Sequence, residues 1–373
     1  MSKRKEIFRN VRSHLKVSKY MITIVLLLIV LAVFAFFIMF SGSTQRPDYS
    51  VAPEPAFIDT PLSDNNIEDA EGSTEYASYS DDLYQYEETE LENEGDNQGI
   101  YDINPENDFI ILRMNEADIS RGYLVLVNHE HSFELPARLD LVNIANHRES
   151  NFRVLGQNYL LERSVVGPLD EMMGAFIAET GNTTVAVISA FRNYNAQQTI
   201  LDERIRRMGR AEALRWVAIP GHSEHHTALA VDFGIYARGT RSTFTGTGAT
   251  AWFFRNSANF GFIRRYPENR FQITQVVYEP WHYRFVGLPH SKIIHENNWV
   301  LEEYIERIRN YTLEEPFEFE HDGILYEIFF VTGTEVPIPL NSEFVISGNN
   351  IDGFIVTVNR LEFDPDAITD VYT

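Results

Sequence analysis

Between Pro220 and Asp232 the chain reads Pro-Gly-His-Ser-Glu-His-His-Thr-Ala-Leu-Ala-Val-Asp, placing three histidines and two carboxylates among small residues. That density of imidazole and carboxylate is how a chain assembles a divalent-metal site, and the rest of the sequence can be read by how it serves this segment. There is no cysteine. Thiolate ligands and disulfides are therefore excluded, and any zinc must be held by His and Asp or Glu.

His225 and Asp232 are seven residues apart, and a third candidate ligand, His282, sits in Val277-Tyr-Glu-Pro-Trp-His-Tyr-Arg284. Two imidazoles and one carboxylate leave a tetrahedral zinc with one open position, the catalytic rather than the structural arrangement, and such a zinc suits amide hydrolysis through its water. Glu279, three residues before His282, is placed to act as the general base. His222 and His226 compete with His225 as ligands, and spacing alone does not choose among them. The zinc-protease helix motifs His-Glu-x-x-His and His-x-x-Glu-His are both absent.

The address is written at the N-terminus. Lys3, Arg4, Lys5, Arg9, Arg12, Lys16 and Lys19 precede an apolar run from Tyr20 to Phe40 broken only by Thr23. Such a run is roughly 30 Å long as a helix, the thickness of a bilayer's hydrocarbon core. It is longer than the apolar region of a cleaved signal peptide, and no Ala-x-Ala site follows it. The expectation is a single-pass anchor at 20–40 in the cell membrane, with residues 1–19 cytoplasmic by the positive-inside rule and the rest outside.

Residues 41–107 turn to Ser, Pro, Asn, Asp and Glu, including the run Glu87-Glu88-Thr89-Glu90-Leu91-Glu92-Asn93-Glu94. A segment of that composition buries too little apolar surface to offset its ordering entropy, so it reads as a disordered, self-repelling tether. The formal net charge of -23 argues against a nucleic-acid partner, which needs basic surface.

Globular patterning begins near Phe109. Tyr123 to Asn128 reads as a buried strand, and Leu169, Met172, Met173, Phe176 and Ile177 recur at helical spacing before Gly181. Thr184 to Ser189 reads as a strand, Leu201, Ile205 and Met208 as a helix face, and Trp252, Phe253 and Phe260 as another helix. Gln272 to Tyr278 reads as a strand, and Leu301, Ile305 and Ile308 mark a closing amphipathic helix. Helices and strands are mixed without βαβ repetition, so the fold class is α+β over residues 108–310. From 311 to 373 apolar, β-rich segments separated by Gly, Pro and Asn turns predict a small β appendage.

Several ordered motifs carry a resemblance. Ser223-Glu-His225-His-Thr-Ala228-Leu-Ala230-Val-Asp232 is similar to the Ser-x-His-x-x-Gly-x-Ala-x-Asp signature of the VanY-type D-alanyl-D-alanine carboxypeptidases, zinc enzymes of the Hedgehog/DD-peptidase fold. Glu279-Pro-Trp-His282 resembles their Glu-x-Trp-His motif, and Ser189-Ala-Phe-Arg192-Asn-Tyr-Asn-Ala-Gln197 their Ser-x-Tyr-Arg-Ser-x-x-x-Gln block. Asn259 to Pro267 also resembles the stretch those enzymes carry before the Glu motif. The similarity spans about Gly122 to Gly287.

The resemblance implies a domain with a mixed or antiparallel sheet and flanking helices, holding one zinc through His225, Asp232 and His282, with Glu279 as catalytic base. It implies that Arg192 holds the substrate's terminal carboxylate or the developing oxyanion, and that Ser223 and Gln197 hydrogen-bond the terminal residue. The implied activity is removal of the terminal D-alanine from peptidoglycan stem peptides outside the cell. The alternatives are an L,D-carboxypeptidase or an endopeptidase on the same wall peptides, or a non-catalytic wall-binding module. Two departures stand out: Ala228 replaces the family's usual Gly, and Phe191 its usual Tyr.

Overall fold

The computed structural model describes residues 101–103, 109–136, 139–340 and 342–360. The basic segment at 1–19, the apolar run at 20–40 and nearly all of the acidic segment at 41–107 lie outside them. Among the described residues no helix is long and apolar enough to cross a membrane.

The architecture is α+β. In chain order the elements are β1 (Tyr101–Ile103), β2 (Phe109–Arg113), β3 (Leu141–Asn143), β4 (Arg153–Val154), β5 (Leu160–Glu162), α1 (Arg163–Thr180), β6 (Val185–Ser189) and α2 (Tyr194–Met208). They continue with β7 (Ala230–Ala237), β8 (Thr240–Thr243), α3 (Ala251–Asn256), β9 (Phe262–Tyr266), β10 (Glu279–Phe285), α4 (His290–Glu296) and α5 (Leu301–Ile308). The C-terminal strands are β11 (Phe317–His321), β12 (Ile324–Thr332), β13 (Glu335–Pro339), β14 (Glu343–Gly348) and β15 (Gly353–Arg360).

The central sheet runs β4-β6-β7-β10-β9, with β8 hung on β7. Its one parallel pair is β4 with β6; the other neighbours are antiparallel. Strand side chains alternate faces, which separates packing from chemistry here. Val231 and Phe233 of β7 and Trp281, Tyr283 and Phe285 of β10 enter a core with Leu169, Met172, Met173 and Phe176 of α1. Asp232 and His282, one residue out of phase, are left for the opposite face. Each large apolar side chain buried this way contributes on the order of 1.5–3 kcal/mol, and together they hold the register of the chemistry-bearing strands. Gly181 ends α1 in the left-handed conformation at φ 66°, as its sequence position predicts.

Two expected strands are absent, each for an identifiable reason. Leu124 to Asn128 is buried, but no neighbouring strand pairs with the segment, because side chains and isolated main-chain contacts, such as Leu126 N–H to Asn349 O at 3.1 Å, satisfy its backbone. Arg284 donates to the carbonyls of Tyr123 and Val125 at 3.0 and 2.9 Å, Asn350 Nδ2 donates to that of Leu126 at 2.9 Å, and the Leu124 N–H donates to Ser347 Oγ at 2.9 Å. Gln272 to Tyr278 begins instead as a single helical turn, Phe271–Thr274, closed by Gln275 at φ 56°. The ladder starts at Glu279.

The C-terminal strands form a four-stranded sheet, β11-β12-β15-β14, while β13 leaves it to join β1-β2-β13. Tyr326, Ile328 and Ile355 of this part share one core with Leu124, Leu126, Val286, Ile293, Leu301 and Ile305. The end of β14 seats tightly on the domain body: Gly348 N–H donates to Arg121 O at 2.8 Å, and a Cβ at Gly348 would lie 2.1 Å from Ile119 O. Over its described residues the β-rich tail is thus continuous in packing with the domain before it.

Candidate active site

Three elements deliver the metal-binding candidates. A 3-10 turn, Glu224–Thr227, carries His225, and its end at Ala228 turns the chain into β7. Asp232 lies on β7 and His282 on β10, direct partners in the antiparallel register. His225, Asp232 and His282 each offer one ligand atom within 4.8 Å of the others. His225 Nε2 is 3.2 Å from Asp232 Oδ2, and His282 Nδ1 is 2.9 Å from Asp232 Oδ1. Two ligands of a tetrahedral zinc, each about 2.0–2.1 Å from the ion, stand about 3.3 Å apart, so the trio needs little adjustment to hold one.

The hydrogen bonds test that fit. His225 Nδ1 is 2.6 Å from the carbonyl of Ala190. A carbonyl only accepts, so Nδ1 carries the proton and Nε2 presents a lone pair. Nε2 is buried and has no hydrogen-bond partner, an expensive state unless an electrophile takes it. Burial above all, with Arg192 adding, pushes the His225 pKa down to about 4, which keeps the ring neutral and able to ligate. Burial opposes ionisation of Asp232, but His225 and His282 hold its pKa well below the ordinary range. A neutral imidazole, an anionic carboxylate and a second imidazole, with no thiolate, are the donor set of an open catalytic zinc site.

The other two histidines of the segment lie outside this trio. His226 Nδ1 donates to Arg192 O at 2.6 Å, and its Nε2 accepts from the Gly221 N–H at 3.1 Å, so neither nitrogen is available to a metal. His222 Nδ1 is spent on the carbonyl of Asn128 at 2.7 Å.

Glu279 opens β10, buried, with a register shift between it and Tyr283. Burial pushes its pKa up to about 8; His282 pulls it down, Asp232 raises it, and Arg192 and Arg204 pull it down in turn. Arg204, on α2, has no sequence signal that would single it out. Arg192 follows β6, and its backbone N–H donates to His225 O at 3.1 Å, tying it to the ligand turn. Its Nε is buried without a partner. Ser223 caps the ligand turn by position, yet its hydroxyl makes no capping bond. Gln197 sits deeper: its amide nitrogen donates to Ala218 O at 2.7 Å, bracing the approach to Pro220, while its Oε1 is buried and unpartnered. The structure thus gathers His225, Asp232, His282, Glu279 and Arg192, with Ser223 on the same turn and Gln197 behind it.

Ala228 has φ 59° and ψ 17°, a left-handed residue that receives no exposure at all. Its methyl group is accommodated in a conformation that normally costs an L-residue about 1–2 kcal/mol. Phe191 N–H donates to Leu160 O at 2.9 Å, a backbone role indifferent to the missing hydroxyl.

A mononuclear metallohydrolase is the class this arrangement defines, since it joins an open three-ligand set to a buried carboxyl close by. The chain belongs to the VanY family of D-alanyl-D-alanine carboxypeptidases. That family's model matches residues 158–288. A D-alanyl-D-alanine carboxypeptidase of Enterococcus faecium is 33% identical over 251 residues, which cover 66% of this chain and 78% of that protein. A putative carboxypeptidase, YodJ, of Bacillus subtilis (strain 168) is 33% identical over 208 residues, 55% of this chain and 70% of its own. Among solved structures, a vancomycin-resistance D,D-dipeptidase, VanXYg, in complex with a D-Ala-D-Ala phosphinate analog is 32% identical with a TM-score of 0.61, covering 67% of this chain and 98% of that one. As a member of this family the chain is an enzyme, a zinc-dependent carboxypeptidase.

Proposed function

We propose that this enzyme removes the terminal D-alanine from peptidoglycan stem peptides outside the cell. The observation that carries the reading is the unpartnered, buried Nε2 of His225 facing Asp232 and His282, with the buried carboxyl of Glu279 three residues from His282. When bound by His225, Asp232 and His282, zinc supplies Lewis-acid polarisation of the scissile carbonyl and acidifies a water.

The remaining steps belong to the chain's own side chains. Glu279, the buried carboxyl three residues before His282, accepts the proton of the attacking water and returns it to the leaving amine. A carboxypeptidase must also bind a free carboxylate. Arg192 supplies the fixed positive charge and a buried Nε that lacks a partner, so it takes the terminal carboxylate of the substrate. Ser223, whose hydroxyl is not used as a cap, and Gln197, whose Oε1 is unsatisfied, are the polar groups left to orient the terminal residue.

Location is part of the proposal. The apolar run from Tyr20 to Phe40 and the seven Lys and Arg residues before it support a single-pass anchor with a cytoplasmic N-terminus, and the acidic stretch after it supports a tether that lets the domain search the wall.

The test of the activity is product mass. The zinc-loaded protein is incubated with pentapeptide stems, tetrapeptide stems and free D-Ala-D-Ala. Release of one D-alanine from the pentapeptide is expected; cleavage of the tetrapeptide alone would assign an L,D-carboxypeptidase instead. Because the chain has no cysteine, topology can be read with single-cysteine variants. Ser50→Cys is expected to react with a membrane-impermeant thiol reagent on intact cells and Ser13→Cys to be protected; the reverse pattern would sink the location.

A further inference from the structure

The metal ligand His282 is held from behind by a carboxylate that lies outside the metal set. Glu224 is fully buried, and its Oε2 is 3.3 Å from His282 Nε2. Its other oxygen, Oε1, accepts from Arg265 Nε at 2.8 Å and from Arg284 Nη1 at 2.8 Å. Both arginines are themselves fully buried. Arg265 continues to Glu302 of α5 through Nη1 at 2.9 Å and Nη2 at 2.6 Å, and Arg284 continues to the carbonyls of Tyr123 and Val125. Two arginines and two glutamates give this cluster no net charge, which is what makes its burial tolerable.

The chemistry of the two Glu224 oxygens differs. Oε1 is saturated by two guanidinium groups, so Oε2 is the oxygen left for the imidazole. A carboxylate only accepts, so Nε2 of His282 carries a proton toward Glu224; Nδ1, 2.9 Å from Asp232 Oδ1 and on the side of the metal position, is the nitrogen that would be left to ligate when zinc binds. His225 shows the opposite assignment, with its Nδ1 proton given to Ala190 and Nε2 free. The two rings would thus meet a metal through different nitrogens, and each is oriented by a different acceptor: a neutral carbonyl for His225, an anion for His282.

We propose that Glu224 is a positioning residue for the zinc, fixing His282 in the tautomer that ligates through Nδ1, with Arg265 and Arg284 clamping the carboxylate in place. This rests on the reading of His225, Asp232 and His282 as the zinc ligands. The arrangement also says why an amide cannot substitute. In Glu224→Gln the amide oxygen belongs with the two guanidinium groups, which turns the NH2 toward His282. Nε2 must then accept, and the ring's proton moves to Nδ1, where the metal would bind.

The experiment has three arms on the full-length protein. Zinc affinity is measured by competition with a chromophoric chelator for the wild type, Glu224→Gln and Glu302→Gln. The third arm is nitrogen-15 NMR of the histidine side chains in the zinc-loaded wild type. We expect zinc binding about 10–100-fold weaker in Glu224→Gln, the range for losing a partner of a ligating histidine. Glu302→Gln, which disturbs Arg265 but not the His282 contact, should lose stability with zinc affinity kept. The NMR should show His282 protonated on Nε2 and bound through Nδ1. Wild-type affinity in Glu224→Gln, an equal loss in Glu302→Gln, or His282 bound through Nε2 would each overturn the proposal. Should Glu224→Gln fail to fold, the nitrogen assignment and Glu302→Gln decide it. A wild type that binds no zinc defeats the ligand reading itself and is told apart at the first measurement.

Discussion

Asp232 and His282 are direct partners across the β7–β10 ladder, so the register of a single antiparallel pair sets two of the three metal-binding candidates against each other. A slip of one residue would send them to opposite faces and put Val231 or Tyr283 where the metal belongs. The aromatic and aliphatic packing on the other face, Phe233 and Tyr283 against α1, is therefore a condition of the chemistry.

His282→Ala should abolish stoichiometric zinc binding, since it removes one of three protein ligands. His226→Ala should keep zinc while lowering stability by about 1–3 kcal/mol, because it unpairs the Gly221 N–H and the Arg192 carbonyl. Metal analysis of the purified variants, with a denaturation curve for each, checks both. Stoichiometric zinc in His282→Ala would move the third ligand elsewhere.

Glu279→Gln should leave zinc in place and lower D-alanine release by about 10²–10⁴-fold, the usual worth of a positioned general base. Steady-state rates on a pentapeptide stem, alongside metal content, provide the check. An unimpaired variant would remove Glu279 from the mechanism.

Ala228 sits where φ is 59° and the side chain is buried. Ala228→Gly relieves the left-handed penalty of about 1–2 kcal/mol but gives up a buried methyl worth about 0.8 kcal/mol and gains unfolded-state entropy, so stability should change by less than about 1 kcal/mol. Ala228→Val, a β-branched residue in that conformation, should be destabilised by clearly more than Ala228→Gly. Urea midpoints compare the two, and a tolerated valine would contradict the backbone reading.

His290 gives a pH dependence remote from the metal. It is buried between Tyr304 Oη at 2.6 Å and Thr357 Oγ1 at 3.2 Å, and burial pushes its pKa from 6.5 down to about 3. The folded state refuses a proton that the unfolded chain accepts. Its share of stability is therefore complete above pH 6.5 and is lost as pH falls from there toward 3, reaching about 2 kcal/mol by pH 5. His290→Gln should show a shallower loss between pH 6.5 and 5 in chemical denaturation, and identical slopes would rule out this assignment.

What the sequence revealed, and what it hid, follows from how far apart partners lie along the chain. His225 and Asp232 belong to one short motif and Glu279 and His282 to another, so each pair carries its own signal; α1, α2 and α5 declare themselves by periodic Leu, Met and Ile. Glu224 was visible only as one more carboxylate in the opening segment. Its role depends on Arg265 and Arg284, 41 and 60 residues away, and two fully buried arginines look like surface residues until the fold encloses them. The same holds for Tyr123 to Asn128, whose apolar run predicts a strand but whose carbonyls are claimed by Arg284 and Asn350. Gln272 to Tyr278 failed for a local reason, a left-handed Gln275 that no residue-type preference announces.

The pairing of β2 with β13 has a mechanical consequence. A pull on the chain before Phe109 would load β1 and β2, strands of the outer three-stranded sheet, and not the sheet that bears Asp232 and His282. Leu112, Val336 and Ile338 of that outer sheet pack with Phe329, Ile346 and Phe354 of the C-terminal sheet, so such a load would reach the periphery before the strands that carry the metal-binding candidates.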